Sequence, residues 1–219
     1  MSKDVIEIFS SSEYEEAYQD IKYIVTIGKY SVKEPTAIVL GGQPGSGKGN
    51  NIYPVARERF DDNIVELDCD KFRKNHPKAE QLNLDSATYG EKTNPFVYAV
   101  VDRLVEELSE QKYNMIIEST MSSPGTALWV YDTLSPKGYK IEAQIMAVSK
   151  ELSWKGVVDR YNKELANSKT ARLVPKEFHD LVVENLPNSA DAVYKSGKMS
   201  NLHNKYDVKT YIRYGNTLL

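Results

Sequence analysis

Cysteine is almost missing from this chain: Cys69 stands alone among 219 residues. An internal disulfide is therefore excluded, and a reducing cytoplasm is the simplest home. Cys69 also sits between Asp68 and Asp70, whose charge raises a thiol pKa, which argues against a reactive cysteine. Histidine is scarce, with three in all. His76 and His179 have no partners at metal-ligand spacing and read as structural residues. No apolar run approaches the roughly 20 residues of a membrane span. The opening Met1-Ser2-Lys3-Asp4-Val5-Ile6-Glu7 lacks the basic and apolar regions of a secretory signal. Charge of either sign is not in excess. At a net −3 there is no basic field to attract nucleic acid or a membrane surface, and the tyrosines are not interleaved with basic residues. Repeats, low-complexity tracts and interdomain linkers are absent as well. What remains is a composition of 41% hydrophobic and 27% charged residues. That suits one large α/β domain over residues 1–219, with 1–34 as an N-terminal helical segment.

Against these absences stands Gly42-Gln43-Pro44-Gly45-Ser46-Gly47-Lys48. It follows Thr36-Ala37-Ile38-Val39-Leu40, a short apolar run of the kind that forms a buried strand. It leads into a helix expected over Ile52–Arg59. Strand, glycine loop with lysine, then helix is the context of a phosphate-binding loop. Glycines let successive backbone N–H groups curl around phosphate oxygens, and the helix N-terminus adds positive potential. Lys48 would reach the β- and γ-phosphates. The residue after that lysine is usually Ser or Thr, whose hydroxyl ligates Mg²⁺; here it is Gly49. Pro54 lies a turn into the expected helix, where its missing N–H is costly, so the helix either starts late or is kinked.

Along the chain, Ser12 before Glu13 marks a helix N-cap, with the helix running to about Ile27. Strands are expected at Asn63–Leu67, Asn114–Glu118 and Ile141–Val148, with an edge strand at Asp207–Arg213. Helices are expected from Pro95 to Gln111, from about Pro124 to Leu134, over Glu151–Leu165 and over Pro175–Leu186. Strands alternating with helices indicate parallel βαβ units. The fold class is an α/β, P-loop kinase-like three-layer domain: a mostly parallel central sheet with helices on both faces.

In such sheets ligands sit beyond the carboxyl ends of the strands. The glycine loop, Asp68-x-Asp70 and Glu118-Ser119-Thr120 all fall there. In an extended strand both aspartates face one side; one could hold Mg²⁺ through water while the other takes a proton. Equally, Asp70 could cap the helix that follows it. Glu118 reads as a substrate contact or an ordinary loop carboxylate. Arg160 and Arg172, on their own, read as solvated surface arginines.

Taken together, several ordered blocks resemble the zeta toxin family, the P-loop kinase half of bacterial toxin–antitoxin pairs. They are Leu40–Lys48, Asp68–Arg73 running to His76-Pro77, Tyr113–Thr120, Lys137-Gly138-Tyr139 with Met146-Ala147-Val148, Asp159-Arg160-Tyr161, Thr170-Ala171-Arg172 with Pro175-Lys176, and His179-Asp180 with Asn185-Leu186-Pro187. The resemblance spans roughly Pro35 to Tyr211. It implies transfer of the ATP γ-phosphate, with Mg²⁺, to a sugar hydroxyl of a UDP-amino sugar, typically UDP-N-acetylglucosamine, and restraint by a cognate antitoxin. On this mapping Gly42–Asn50 hold ATP and Lys48 is the phosphate-binding lysine. Asp70 is the catalytic base, and Arg160 and Arg172 grip the phosphates. Asp70, Phe72, Arg73, Asp102, Glu118 and Thr120 line the substrate; apart from the mapping, Asn50 or Asp68 could recover the metal, directly or through water. Three positions depart from the family pattern. Gly49 replaces the metal-binding hydroxyl, Asp102 a glutamate, and Ser122 an arginine. They open two other readings: a kinase of a different small hydroxyl compound, and a nucleotide or UDP-sugar binder without catalysis.

Overall fold

The computed structural model describes residues 10–82, 88–167, 171–196, 211–214 and 217–218. Helix α1 (Ser11–Thr26) is opened by a capping box. The Ser10 hydroxyl accepts from the Glu13 amide at 3.3 Å, and the Glu13 carboxylate accepts from the Ser10 amide at 2.6 Å. The N-cap is therefore Ser10, not Ser12: a cap at Ser12 would have set Glu15 at the third helical position, but it is Ser10 and Glu13 that exchange the two bonds.

Strands β1 (Thr36–Gly41), β2 (Val65–Leu67), β3 (Met115–Glu118), β4 (Lys140–Ala147), β5 (Tyr211–Tyr214) and β6 (Thr217–Leu218) form one sheet in the order β2-β3-β1-β4-β5-β6. The first five run parallel, and β6 returns antiparallel to β5. The described part of the expected edge strand is Tyr211–Tyr214; residues 207–210 of its expected range lie outside the described residues. β1 is buried along its whole length, as a central parallel strand covered on both faces must be. Its alternation splits the core in two. Ala37 and Val39 join the large cluster built with α1 and α5, while Ile38 and Leu40 face Ile52, Tyr53 and Ala56 on the other side.

Helix α2 (Lys48–Arg59) begins immediately at the loop lysine, although Pro54 lies inside it. The late start is thereby excluded. The short α3 (Cys69–Phe72) and α4 (Ala79–Leu82) follow β2. Helix α5 (Tyr89–Glu110) starts six residues before Pro95, which sits within it rather than opening it. Its buried face, from Phe96 and Val97 through Leu104 to Leu108, packs on the sheet.

Helix α6 (Gly125–Leu134) and α7 (Lys150–Asn167) lie close to their expected limits. Helix α8 (Lys176–Lys195) runs on past Pro187, nine residues beyond the expected end. Its inward stripe of Val182, Leu186, Ser189 and Val193 continues on the far side of the proline, and burial of that stripe outweighs the lost hydrogen bond. Both histidines are structural in placement. His76 packs edge-on to Phe96 at 5.1 Å. Fully buried His179 lies 2.9 Å from Ser153 Oγ and 2.9 Å from Asp180 Oδ1, tying α8 to α7.

Candidate functional site

The parallel strands deliver Lys48, Asp68, Asp70 and Glu118 to the carboxyl ends of β1, β2 and β3. The loop is shaped by backbone geometry. Gly45 has φ +75°, and a Cβ there would stand 2.0 Å from the Ser153 carbonyl oxygen of α7. A Cβ on Gly156 of α7 would likewise stand 2.3 Å from the Gly45 oxygen. The loop and α7 therefore touch backbone to backbone through two glycines. Gln43 is buried and donates from Nε2 to the Val148 carbonyl at 2.8 Å, fixing the loop to the end of β4. The Gly42 amide donates to the Thr120 carbonyl at 3.3 Å, which brings Glu118-Ser119-Thr120 against the loop.

Lys48 is 7% exposed. Its ammonium donates to the Gly42 carbonyl at 2.8 Å and the Gln43 carbonyl at 3.4 Å, with Glu118 Oε1 at 3.6 Å. Ser46 Oγ is buried and has no hydrogen-bond partner among the described residues. A buried cation held by carbonyls, a buried hydroxyl without a partner and a glycine-lined loop at a helix N-terminus together fit a polyphosphate. Gly49 and Asn50 are exposed at the start of α2. A Cβ at Gly49 would meet only the Tyr53 ring, at 3.9 Å, so space does not demand glycine there.

The two aspartates separate sharply in role. Asp68 is the N-cap of α3, its carboxylate accepting from the Asp70 amide at 2.9 Å; the cap is thus Asp68 and not Asp70, which lies inside the helix two residues later. Burial, then the charges of Glu118 and Asp70, push its carboxyl up to about 6. Asp70 is 44% exposed and faces cations. Arg172 contacts its Oδ1, and Arg73 Nε donates to the same oxygen at 3.0 Å. Burial opposes ionisation of Asp70, but Arg172, Arg73 and the more distant Arg160 outweigh it and hold the carboxyl below the usual range. Burial pushes the Cys69 thiol up to about 12, so this cysteine is not a nucleophile near neutral pH.

Arg73 is itself buried, donating to the Gly90 carbonyl at 2.9 Å and the Thr93 hydroxyl at 2.7 Å. Phe72 packs in the main core. Arg160 and Glu164 stand one turn apart on α7, 4.0 Å between Nε and Oε1, and Glu164 accepts from the Arg172 amide at 3.1 Å. A cavity of about 850 Å³ opens beside this group, walled in part by Asp70, Arg73, Tyr89, Arg160, Glu164 and Arg172. The structure thus joins Lys48, Glu118, Asp68, Asp70, Arg73 and Arg172 in one chain of charges. Thr120 donates to Ser122 Oγ at 3.3 Å beside them. Asp102 is not part of that group. It lies exposed on α5, where burial and then Glu106 raise its pKa.

Tyr53 escaped the sequence reading. Its hydroxyl donates to Glu118 Oε2 at 2.6 Å. The available signal was its place on the inward stripe Lys48, Ile52, Tyr53, Ala56 of α2, where a buried phenol must find a partner. Glu164 left no such trace, because its role depends on a backbone amide eight residues away.

For a divalent cation, the described residues contain no group of three or more His, Cys, Asp or Glu side chains able to enclose one. Asp68, crowded by Glu118 and Asp70, fits a cation that takes its remaining ligands from phosphate and water, the usual habit of Mg²⁺.

A parallel sheet in this order, with a glycine loop and lysine between β1 and α2, defines a P-loop kinase fold. The family model of zeta toxin matches residues 23–215, and the chain belongs to the zeta toxin family. It is 33% identical over 207 residues to a toxin zeta of Streptococcus pyogenes, covering 93% of this chain and 72% of that one. It is 36% identical over 186 residues to toxin PezT of Streptococcus pneumoniae serotype 4, covering 83% and 72%. Among solved structures, one from the PezAT chromosomal toxin–antitoxin system of Streptococcus pneumoniae superposes with a TM-score of 0.76 at 28% identity, over 95% of this chain and 79% of that chain. The AvrRxo1-ORF1:-ORF2 complex with ATP superposes at 0.65 with 14% identity, over 92% and 62%; at that identity it speaks for the fold alone. No described helix is long and apolar enough to cross a membrane.

Proposed function

We propose that this zeta toxin family member is a kinase that moves the ATP γ-phosphate to a sugar hydroxyl of a UDP-amino sugar such as UDP-N-acetylglucosamine, and that a cognate antitoxin restrains it in a cytoplasmic setting. The observation that carries the reading is the chain of charges from Lys48 through Glu118, Asp68 and Asp70 to Arg172. It supports reading the carboxyl ends of the strands as a phosphate cradle, a metal-competent carboxylate, an ionised carboxylate and arginines in sequence. The toxin–antitoxin context of the PezAT structure supports an antitoxin partner, and the glycine loop with buried Lys48 supports ATP.

In this reading Asp70, kept ionised by its arginines, accepts the proton of the sugar hydroxyl as that oxygen attacks the γ-phosphorus. The new P–O bond forms as the bond to the β–γ bridging oxygen breaks, and ADP leaves with the electron pair. Lys48, Arg160 and Arg172 offset charge on the non-bridging oxygens. Asp68 would hold Mg²⁺, which supplies further neutralisation of the phosphates when bound. Glu118 and Thr120 would contact the sugar nucleotide. Asp102, one methylene shorter than the family's glutamate, would contribute only after a movement that brings it to the cleft.

The exposed Gly49 favours a second reading, a binder without turnover, since no hydroxyl follows Lys48. Purified protein with Mg²⁺–ATP and a panel of UDP-sugars separates the two. Phosphorylated UDP-N-acetylglucosamine is expected, with Gly49→Thr gaining about tenfold in kcat/KM, the scale of a restored metal contact. Product with other acceptors alone would redirect the substrate. Nucleotide binding with no product from either protein would overturn the kinase reading.

A further inference from the structure

We propose that Tyr53 is a positioning residue whose hydroxyl tethers Glu118 and keeps that carboxylate from closing onto Lys48. The inference rests on the reading of Lys48 as the nucleotide's phosphate ligand. Tyr53 is 3% exposed and sits five residues past that lysine on α2. Its hydroxyl donates to Glu118 Oε2 at 2.6 Å, while Glu118 Oε1 stops 3.6 Å from the ammonium. The lysine's own close contact is the Gly42 carbonyl at 2.8 Å. The carboxylate is therefore near enough to be drawn in, yet short of a full hydrogen-bonded ion pair.

That gap matters because a γ-phosphate and a carboxylate compete for the same cation. A buried Lys–Glu pair at hydrogen-bond distance would neutralise the charge that the loop presents to the triphosphate. The phenol holds the competing group by its other oxygen. It remains a donor across the working pH range, since burial and then the charges of Glu118 and Asp68 push its ionisation far above neutrality. The ring cannot easily rotate away. Lys71 Nζ lies 4.6 Å over its face, and that ammonium is itself fixed by Glu66 at 2.9 Å. The charge of Glu118 is among the causes that raise the Asp68 carboxyl, so the two carboxylates repel one another. The tether is thus one of two restraints, and it is the one that a single atom can remove.

Tyr53→Phe deletes only that oxygen and keeps the ring. The measurement is calorimetric binding of a non-hydrolysable ATP analogue with Mg²⁺ to the full chain. Wild type, Tyr53→Phe, Glu118→Gln and the double variant are compared, each with its Tm. Binding by Tyr53→Phe is expected to be about tenfold weaker, the scale of one charge-assisted hydrogen bond. The double variant is expected to bind within about twofold of Glu118→Gln, because an uncharged amide no longer competes for Lys48. A residue that only filled space would lower Tm without being rescued by Glu118→Gln. Unchanged affinity in Tyr53→Phe, or a loss that persists undiminished in the double variant, overturns the tether. Failure of the wild-type protein to bind the analogue at all would overturn the nucleotide reading of Lys48 and the tether with it.

Discussion

At Asp68 the carboxylate caps α3, and it is also a group whose ionisation the fold resists. Its unfolded pKa is near 4, whereas burial and the charges of Glu118 and Asp70 raise it to about 6 in the folded chain. Below about pH 4 both states carry the proton and the carboxyl costs nothing. As pH rises through 6 the folded protein must release it into acidic, buried surroundings, so the associated stability is lost and stays lost at neutral pH. Asn keeps the cap and removes the charge. Asp68→Asn is therefore expected to be more stable at pH 7.5 by on the order of 2 kcal/mol, raising Tm by roughly 4–8 °C. At pH 4 the difference should vanish, and turnover should fall at every pH because the metal-competent carboxylate is gone. Thermal melts of both proteins at the two pH values check this; an equal Tm gain at both would exclude charge crowding as the cause. Asp70 has the opposite sign. Its folded pKa is depressed by Arg172 and Arg73 acting against burial, so its contribution is present above the unfolded pKa and is lost only on acidification below it. Spacing alone places the two aspartates at one strand end without telling them apart; Arg73 lies three residues from Asp70, but Arg172 reaches it from a distant segment.

Between residues and the whole lies the contact of α7 with the phosphate loop. A Cβ on Gly156 would meet the Gly45 oxygen at 2.3 Å, and both partners are backbone, so neither can swing aside. Alanine is the better helix former by about 1 kcal/mol, and propensity alone would make Gly156→Ala stabilising. The contact predicts the reverse for function: nucleotide affinity should fall at least about tenfold as the loop is pushed from α7, with helix content by circular dichroism unchanged. Affinity equal to wild type would show that the loop tolerates the shift. Elements were legible where the signal is local. The loop motif and the apolar β1 lie within a few residues of what they specify, whereas three successive serines left the cap of α1 two residues out. Helix ends at Pro95 and Pro187 were misjudged because a proline is a local penalty, while the stripes that carry α5 and α8 across it are buried by distant partners. Lys48 and Asp70 could be read from strand ends. Tyr53 and the Gly45–Gly156 approach could not, since each depends on which helix covers which strand.

Across the whole molecule the site is shared by two sets of elements. The sheet and α2 supply Lys48, Asp68, Asp70 and Glu118; α7 and the segment leading to α8 supply Arg160, Glu164 and Arg172. In the free protein Arg172 bridges the sets by gripping Asp70. A triphosphate seated in the loop would compete for that guanidinium and bridge the same elements through its own oxygens. A ligand that binds only the folded chain stabilises it by mass action, about 2.7 kcal/mol at a hundredfold excess over Kd. For a domain of this size that corresponds to roughly 5–10 °C in Tm. The shift with Mg²⁺ and a non-hydrolysable ATP analogue should vanish in Lys48→Ala, which removes the cation inside the loop. Arg172→Gln should retain only part of it at the same ligand concentration, because the sheet side still binds while the bridge to α7 and α8 is gone. A full shift in Lys48→Ala would place the nucleotide outside the loop. An undiminished shift in Arg172→Gln would mean that the arginine stays on Asp70 in the bound state, leaving Arg160 to face the phosphates alone.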